Sequence, residues 1–329
     1  MLLRRARGRV AKKFLYDYDM KVSYYAKDPG GANAIAPVIA LLKASGETVD
    51  EMLADPDIFI GGTSAGDTPD KKLVRTLGGV PSVYVLDFWL NYWQRFSTTG
   101  IKDFAYMPTK ICIMDDTAKE EMLAEGFPAE RLAVTGNPHF DHFADRVTHE
   151  GEERERILFL SQPLRATADI SGFAPVASDE YAVLEDSIAS LASLPEHYFL
   201  SIRLHPKEPR DKYQPYFGAR VRMADEPTLE EAMSHSGLII GISSPTIMQA
   251  TAAGKKALSY EPKLAGKDPL VSNRVGVTTR IVNKEALKDA FMQYGRGTWP
   301  FKNRPMREVW PAGATERVVE VVRELANLP

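Results

Sequence analysis

The chain has 329 residues, 44% of them apolar and 26% charged, a composition that excludes a disordered, collagenous or fibrous protein. Forty-one basic against forty-four acidic side chains leave a formal charge of −3, without the positive field of a general nucleic-acid binder. No apolar run approaches the roughly 18–20 residues of a membrane span. At about 100–200 residues per domain, two domains are expected. The opening MLLRRARGRVAKKFL lacks the apolar core and cleavage site of a secretory signal and is expected to be retained. Residues 1–21 carry seven basic side chains against Asp17 and Asp19, which fits contact with an anionic membrane surface as well as a solvated terminus.

Short runs rich in Val, Ile, Tyr and Phe follow, alternating with helical patterns in the rhythm of βαβ units. In the first half they are KVSYYA (21–26), DIFIGG (57–62), SVYVLD (82–87), KICIMD (110–115) and RLAVTG (131–136). The single cysteine, Cys112, lies in KICIM and reads as a buried core thiol in a reducing compartment. Helical faces are marked by Ile35, Val38, Ile39, Leu41 and Leu42 and by residues 118–125. The charged stretch DRVTHEGEERER (145–156) reads as a boundary. Beyond it the strand patterns are ILFLSQ (157–162), HYFLSIRL (197–204), RVRM (220–223), GLIIGIS (237–243) and KALSYE (256–261). Val318, Val319, Val321, Val322 and Leu325 give a last helix that is expected to return to the first unit. The division is 1–148, 149–313 and 314–329, with the basic segment at 1–20: two Rossmann-like domains whose parallel sheets face a central cleft.

In such sheets the loops after the carboxyl ends of strands build the ligand cleft. After the first strand, Asp28-Pro29-Gly30-Gly31-Ala32-Asn33 allows close backbone approach at a helix start. It matches neither GxGxxG nor a phosphate loop with GKS/T, which removes the main support for NAD or ATP. Gly61-Gly62-Thr63-Ser64 and the nearby Asp67 follow the next run. Asp87 ends a strand and precedes Phe88, Trp89, Tyr92 and Arg95, so it suits a general base among aromatics that stack on sugars, or an ion pair with Arg95 within a core. In SIRLHPK, alternation puts Arg203 and His205 on one face, with Lys207 close by, which suits a phosphate. Ser243, Ser244 and Thr246 open a helix after another strand and suit an anion.

These elements together resemble the GT-B glycosyltransferases, and IMDDTAKEEMLAEGFPAERLAVTGNPHFD (113–141) resembles the segment leading into the hinge of that superfamily, which includes UDP-N-acetylglucosamine 2-epimerases. LHP at 204–206 and SS at 243–244 are similar to motifs of bacterial sialyltransferases and polysialyltransferases, which use CMP-activated sugars, and SQPL at 161–164 is similar to a loop of their donor lobe. The resemblance implies that 1–148 binds the acceptor and 149–313 the nucleotide sugar. It implies Asp87, with Asp28 in contention and Asp67 third, as base; His205, Ser243, Ser244, Thr246, Arg203, Lys207, Gln162 and Glu261 at the donor; and Gly30, Gly31, Asn33, Trp89, Tyr92 and Arg95 at the acceptor. Phe88 and Trp89 stand where that family's base motif has a second acid and a glycine.

The expected activity is inverting transfer of an acidic, nonulosonic or Kdo-like sugar from a CMP donor to a glycan or glycolipid, with no cofactor, no metal and no nucleic-acid partner. The expected location is cytoplasmic, at the inner membrane face if residues 1–20 bind it. Alternatives are a UDP-sugar epimerase or hydrolase, a CDP-alcohol polyol-phosphate transferase and a non-catalytic sugar-nucleotide-binding partner. The hinge is expected near Gly136, Asn137 and Pro138, with His139 reaching the cleft.

Overall fold

A computed structural model describes residues 19–165, 179–264 and 266–326. Apart from Asp19 and Met20, the basic segment expected at 1–20 lies outside them. Among the described residues no helix is long and apolar enough to cross a membrane.

The first sheet contains β1 (Lys21–Tyr25), β2 (Thr48–Glu51), β3 (Ile58–Gly62), β4 (Ser82–Val85), β5 (Lys110–Ile113) and β6 (Leu132–Val134). They lie in the order β2-β1-β3-β4-β5-β6, every pair parallel. The second contains β7 (Glu153–Leu160), β8 (Phe199–Arg203), β9 (Val221–Met223), β10 (Ser236–Gly241), β11 (Ala257–Tyr260) and β12 (Thr279–Ile281). Its order is β12-β11-β10-β7-β8-β9, again all parallel. This is the architecture of two Rossmann-like domains expected from the alternating runs. Helices cover both faces of such sheets, which is why the central strands are apolar without alternation. All five residues of β3 and all six of β10 are buried. Each fully buried Ile or Phe, such as Ile60 or Phe159, contributes about 1.5–3 kcal/mol through its transfer from water. Cys112 is a buried core thiol of the first sheet, and burial pushes its pKa up to about 12.

The chain crosses between the lobes twice. It leaves the first sheet through residues 136–147 and comes back at its end, where Trp299 and Phe301 pack on the second core and Met306 and Trp310 on the first. The final helix, Ala314–Ala326, seats Val318, Val319, Val322 and Leu325 against Val22, Ile35 and Val38 of the first core. Asp141, just past the hinge, fixes its start: one carboxylate oxygen accepts from the Gly313 and Ala314 N–H groups and the other from the Thr315 N–H and hydroxyl, all at 2.7–3.1 Å.

Candidate functional site

The carboxyl ends of the two sheets open onto a cavity of about 960 Å3 between the lobes. Each sheet reverses its strand order beside this opening, between β1 and β3 and between β7 and β10, where ligands of such folds sit.

On the first-lobe wall, Asp28 caps the Pro29–Ala44 helix by accepting from the Gly30 N–H at 3.0 Å. Pro29 suits the first helical position, where its missing N–H costs nothing. Further along, Pro37 leaves the Asn33 carbonyl without its helical donor, and Asn33 lines the cavity. Asp87 follows β4 and meets Gly30 closely. A Cβ at Gly30 would stand 2.3 Å from Asp87 Oδ2 and 3.3 Å from Asp28 Oδ1, so this glycine admits both carboxyl groups to one spot. Gly31 seats the same helix on β3, since a Cβ there would be 2.9 Å from the Thr63 backbone.

Asp87 Oδ1 is held from two sides. It accepts from the Thr63 hydroxyl at 2.7 Å and from Arg95 Nη1 at 2.5 Å, while the same Nη1 donates to Thr63 Oγ1 at 2.9 Å. The Arg95 side chain is 7% exposed and that of Asp87 14%, so the pair is desolvated and geometrically fixed. Oδ2 is left toward Gly30 and the opening.

On the second-lobe wall, His205 follows β8. Its backbone N–H donates to Glu208 Oε2 at 2.8 Å, and the Lys207 N–H donates to its Nδ1 at 3.2 Å. An accepting Nδ1 places the proton of the neutral ring on Nε2. Burial lowers the imidazole pKa, against the pull of Glu208 and Asp28, so the ring at neutral pH is an uncharged Nε2–H donor. The two walls face each other across this cavity, which Gly30, Asn33 and Asp87 line from the first lobe and His205 and Ser244 from the second. Glu208 is anchored by Ser161 Oγ at 2.9 Å and Lys212 Nζ at 2.5 Å. Ser244 caps the Pro245–Ala252 helix, its Oγ sharing a 2.7 Å bond with Thr246 Oγ1.

Several residues singled out in the sequence lie elsewhere. Trp89 and Tyr92, expected at the acceptor, are core side chains: Trp89 is 1% exposed, donates from Nε1 to Asp115 at 3.0 Å and packs against Trp310 and Phe140, and the Tyr92 hydroxyl donates to Glu121 at 2.8 Å. Their indole N–H and phenol groups find half-buried carboxylates, which turns both rings inward. Ser243 is buried behind the wall, where its N–H donates to Gln162 Oε1 at 2.8 Å and ties the ends of β7 and β10 together. Arg203 lines the cavity, but its guanidinium donates to the Glu226 and Pro227 carbonyls and so holds the loop after β9. Lys207 is exposed and outside the lining. Asp67 is on the surface, paired with Lys72 at 2.6 Å. Glu261 is 1% exposed, away from the cavity, with both carboxyl oxygens unpartnered; burial, then the Asp268 charge, raises its pKa to about 8.

The structure adds residues the sequence reading did not assign. Phe143, Arg146, Glu208 and residues 223–227, 229 and 230 line the cavity, as does Arg210, which its place close to His205 in the sequence had already suggested for a phosphate. Gln249 lines it too, and donates from Nε2 to the Phe143 carbonyl at 2.9 Å, linking the second-lobe helix to the hinge. His139 does reach the cavity, stacked edge-on against Phe143, and burial lowers its pKa. The signal for residues 223–230 was their place after the strand pattern RVRM, whose end was not weighed as part of the cleft.

Neither a protein-family model nor a curated protein matches this sequence. Solved structures do resemble it. The Methanocaldococcus jannaschii UDP-GlcNAc 2-epimerase in complex with UDP-GlcNAc and UDP is 14% identical, over 93% of this chain and 100% of that one, with a TM-score of 0.64. MnaA of S. aureus with UDP is 14% identical, over 94% and 98%, at 0.64. Anabaena HepE in complex with UDP and glucose is 11% identical, over 94% and 100%, at 0.52. At these identities the likeness shows the GT-B fold.

Proposed function

We propose that the chain is an inverting glycosyltransferase that moves an acidic, nonulosonic or Kdo-like sugar from a CMP donor to a glycan or glycolipid acceptor. One observation carries the reading. Asp87 and Gly30, beside which the Asp28 carboxyl also lies, line one wall of the interlobe cavity, and His205 and the Ser244–Thr246 helix start line the other.

In this reading the proton of the acceptor hydroxyl passes to Asp87 or Asp28 as its oxygen attacks the anomeric carbon. The bond from that carbon to the donor phosphate breaks, leaving its electron pair on the phosphate oxygen. His205 Nε2–H and the Ser244 and Thr246 hydroxyls meet the developing charge, and such donors act most strongly when fixed beforehand and shielded from water. Gln162 and Ser243 hold the serine turn in place, and Arg203 holds the loop after β9. Gly30, Asn33 and Arg95 would face the acceptor. The LHP and SS motifs favour CMP.

A second reading, a UDP-sugar epimerase or hydrolase, is favoured by the content of the solved structures with this fold: those from M. jannaschii, S. aureus and Anabaena hold UDP or UDP-GlcNAc. The same walls would break the sugar–phosphate bond without an acceptor. The two are separated by incubating the protein with a CMP-nonulosonate plus glycan acceptor and, in parallel, with UDP-N-acetylhexosamine in deuterium oxide. Glycan product supports the first reading, whereas epimer, free sugar or deuterium in the sugar supports the second. Asp87→Asn or Asp28→Asn is expected to lower the turnover found by about 100-fold or more. Full activity in both variants contradicts either reading.

A further inference from the structure

A second cavity, of about 320 Å3, lies on the joint between the lobes. Its apolar lining comes from three segments: Phe140 and Ala144 of the hinge, Ala252 at the end of the Pro245–Ala252 helix, and Met306 of the returning chain. Arg304 and Arg307 line it as well, and no acidic side chain does among the described residues. The arginines keep most of their donors. Arg307 Nη2 donates to the Asp141 carbonyl at 2.7 Å, and Arg304 meets Glu308 at 3.5 Å, in a pair whose side chains are 51% and 61% exposed. The carboxylate of Asp141 is fully engaged by the final helix. The carbonyls of Gln249, Ala250 and Thr251 accept from Ala253, Lys255 and Gly254 N–H groups, so they do not stand open against an anion.

We propose that this cavity binds a small organic anion, an apolar body carrying one carboxylate or phosphate group, at a site separate from the interlobe cleft. The volume sits at the lower end of the roughly 300–1,000 Å3 of small-molecule sites. The arginine pair supplies forked donors for an oxyanion, and the Phe140–Met306 floor receives the apolar part. Phe140 also lines the main cavity, and the helix that ends at Ala252 begins with the main-cavity residues Ser244, Pro245 and Thr246. None of this depends on which nucleotide the cleft takes.

The test titrates the full chain with benzoate, phenyl phosphate and, as cationic control, benzylamine, followed by ligand-observed NMR. At least one anion binds and benzylamine does not. Joint Arg304→Ala and Arg307→Ala substitution weakens anion binding about tenfold or more. Ala144→Leu, which fills the cavity, abolishes it, and His205→Ala, which alters the main cleft, leaves it unchanged. The exposed arginines keep the test valid if the leucine variant fails to fold. Binding of neither anion, equal binding of benzylamine, or binding that survives the arginine substitutions overturns the proposal. So does binding lost in His205→Ala, which assigns the anion to the main cleft.

Discussion

Glu261 carries a carboxyl group whose two oxygens have no partner at the end of β11, close to Asp268. Burial and that neighbouring charge raise its pKa from 4.5 to about 8. An acid with a raised folded pKa keeps its proton in the native state after the unfolded chain has lost it. Stability therefore falls as pH climbs from about 4.5 to about 8 and levels off above. Glu261→Gln is expected to remove this decline, leaving the variant more stable than the parent at pH 8 by about 4–5 kcal/mol, and close to it at pH 4.5. Denaturant titrations at both pH values check it; equal slopes with pH in both proteins contradict it. At this scale the sequence was partly legible. Asp28, Asp87 and His205 stood out because each ends a strand, and all three lie together at the cleft or beside it. Trp89 and Tyr92 could not be placed, because an aromatic after a strand looks the same whether it turns in or out. Their carboxylate partners Asp115 and Glu121 lie in a different segment of the chain.

The elements that were easily read are those buried on both faces, such as IFIGG and SGLIIG, since nothing but a central parallel strand explains so short and continuous an apolar run. The two strands without a sequence signal, β2 with TVDE and β12 with TRI, are the outer strands on one side of each sheet, and each buries a single residue. An edge strand that packs so little has almost no pattern to show. The final helix was legible from its valine spacing, but its anchor was not, because Asp141 is distant from it in sequence. Burial would raise the Asp141 pKa, yet the bonds from Thr315, Ala314 and Gly313 outweigh it and hold it below the usual carboxylate value. Its contribution is therefore present at neutral pH and lost as pH falls through that lowered value. Asp141→Ala is expected to cost about 1–2 kcal/mol of stability at pH 7 and to lower the thermal midpoint. A midpoint equal to the parent's means that the helix is held by its valines alone.

Across the whole molecule, the two lobes are joined on one side and open on the other. On the joined side Glu121 of the first lobe meets Lys267 and, at 2.8 Å, Arg274 of the second, while Gln249 holds the hinge. On the open side Gly30 and Asp87 of the first lobe and His205 of the second line the cavity. Contacts between residues so far apart in sequence are set by how the sheets are oriented, which local pattern does not encode. On the proposed function, this opening takes a nucleotide whose phosphate is met by His205 and the Ser244 turn. Calorimetric titration of the protein, and of His205→Ala, with CMP, CDP, UDP and GDP tests it directly. One nucleotide, CMP on the first reading and UDP on the second, is expected to bind the parent, and the variant to bind it about tenfold more weakly. Absence of binding by all four, or equal affinity in parent and variant, contradicts the claim.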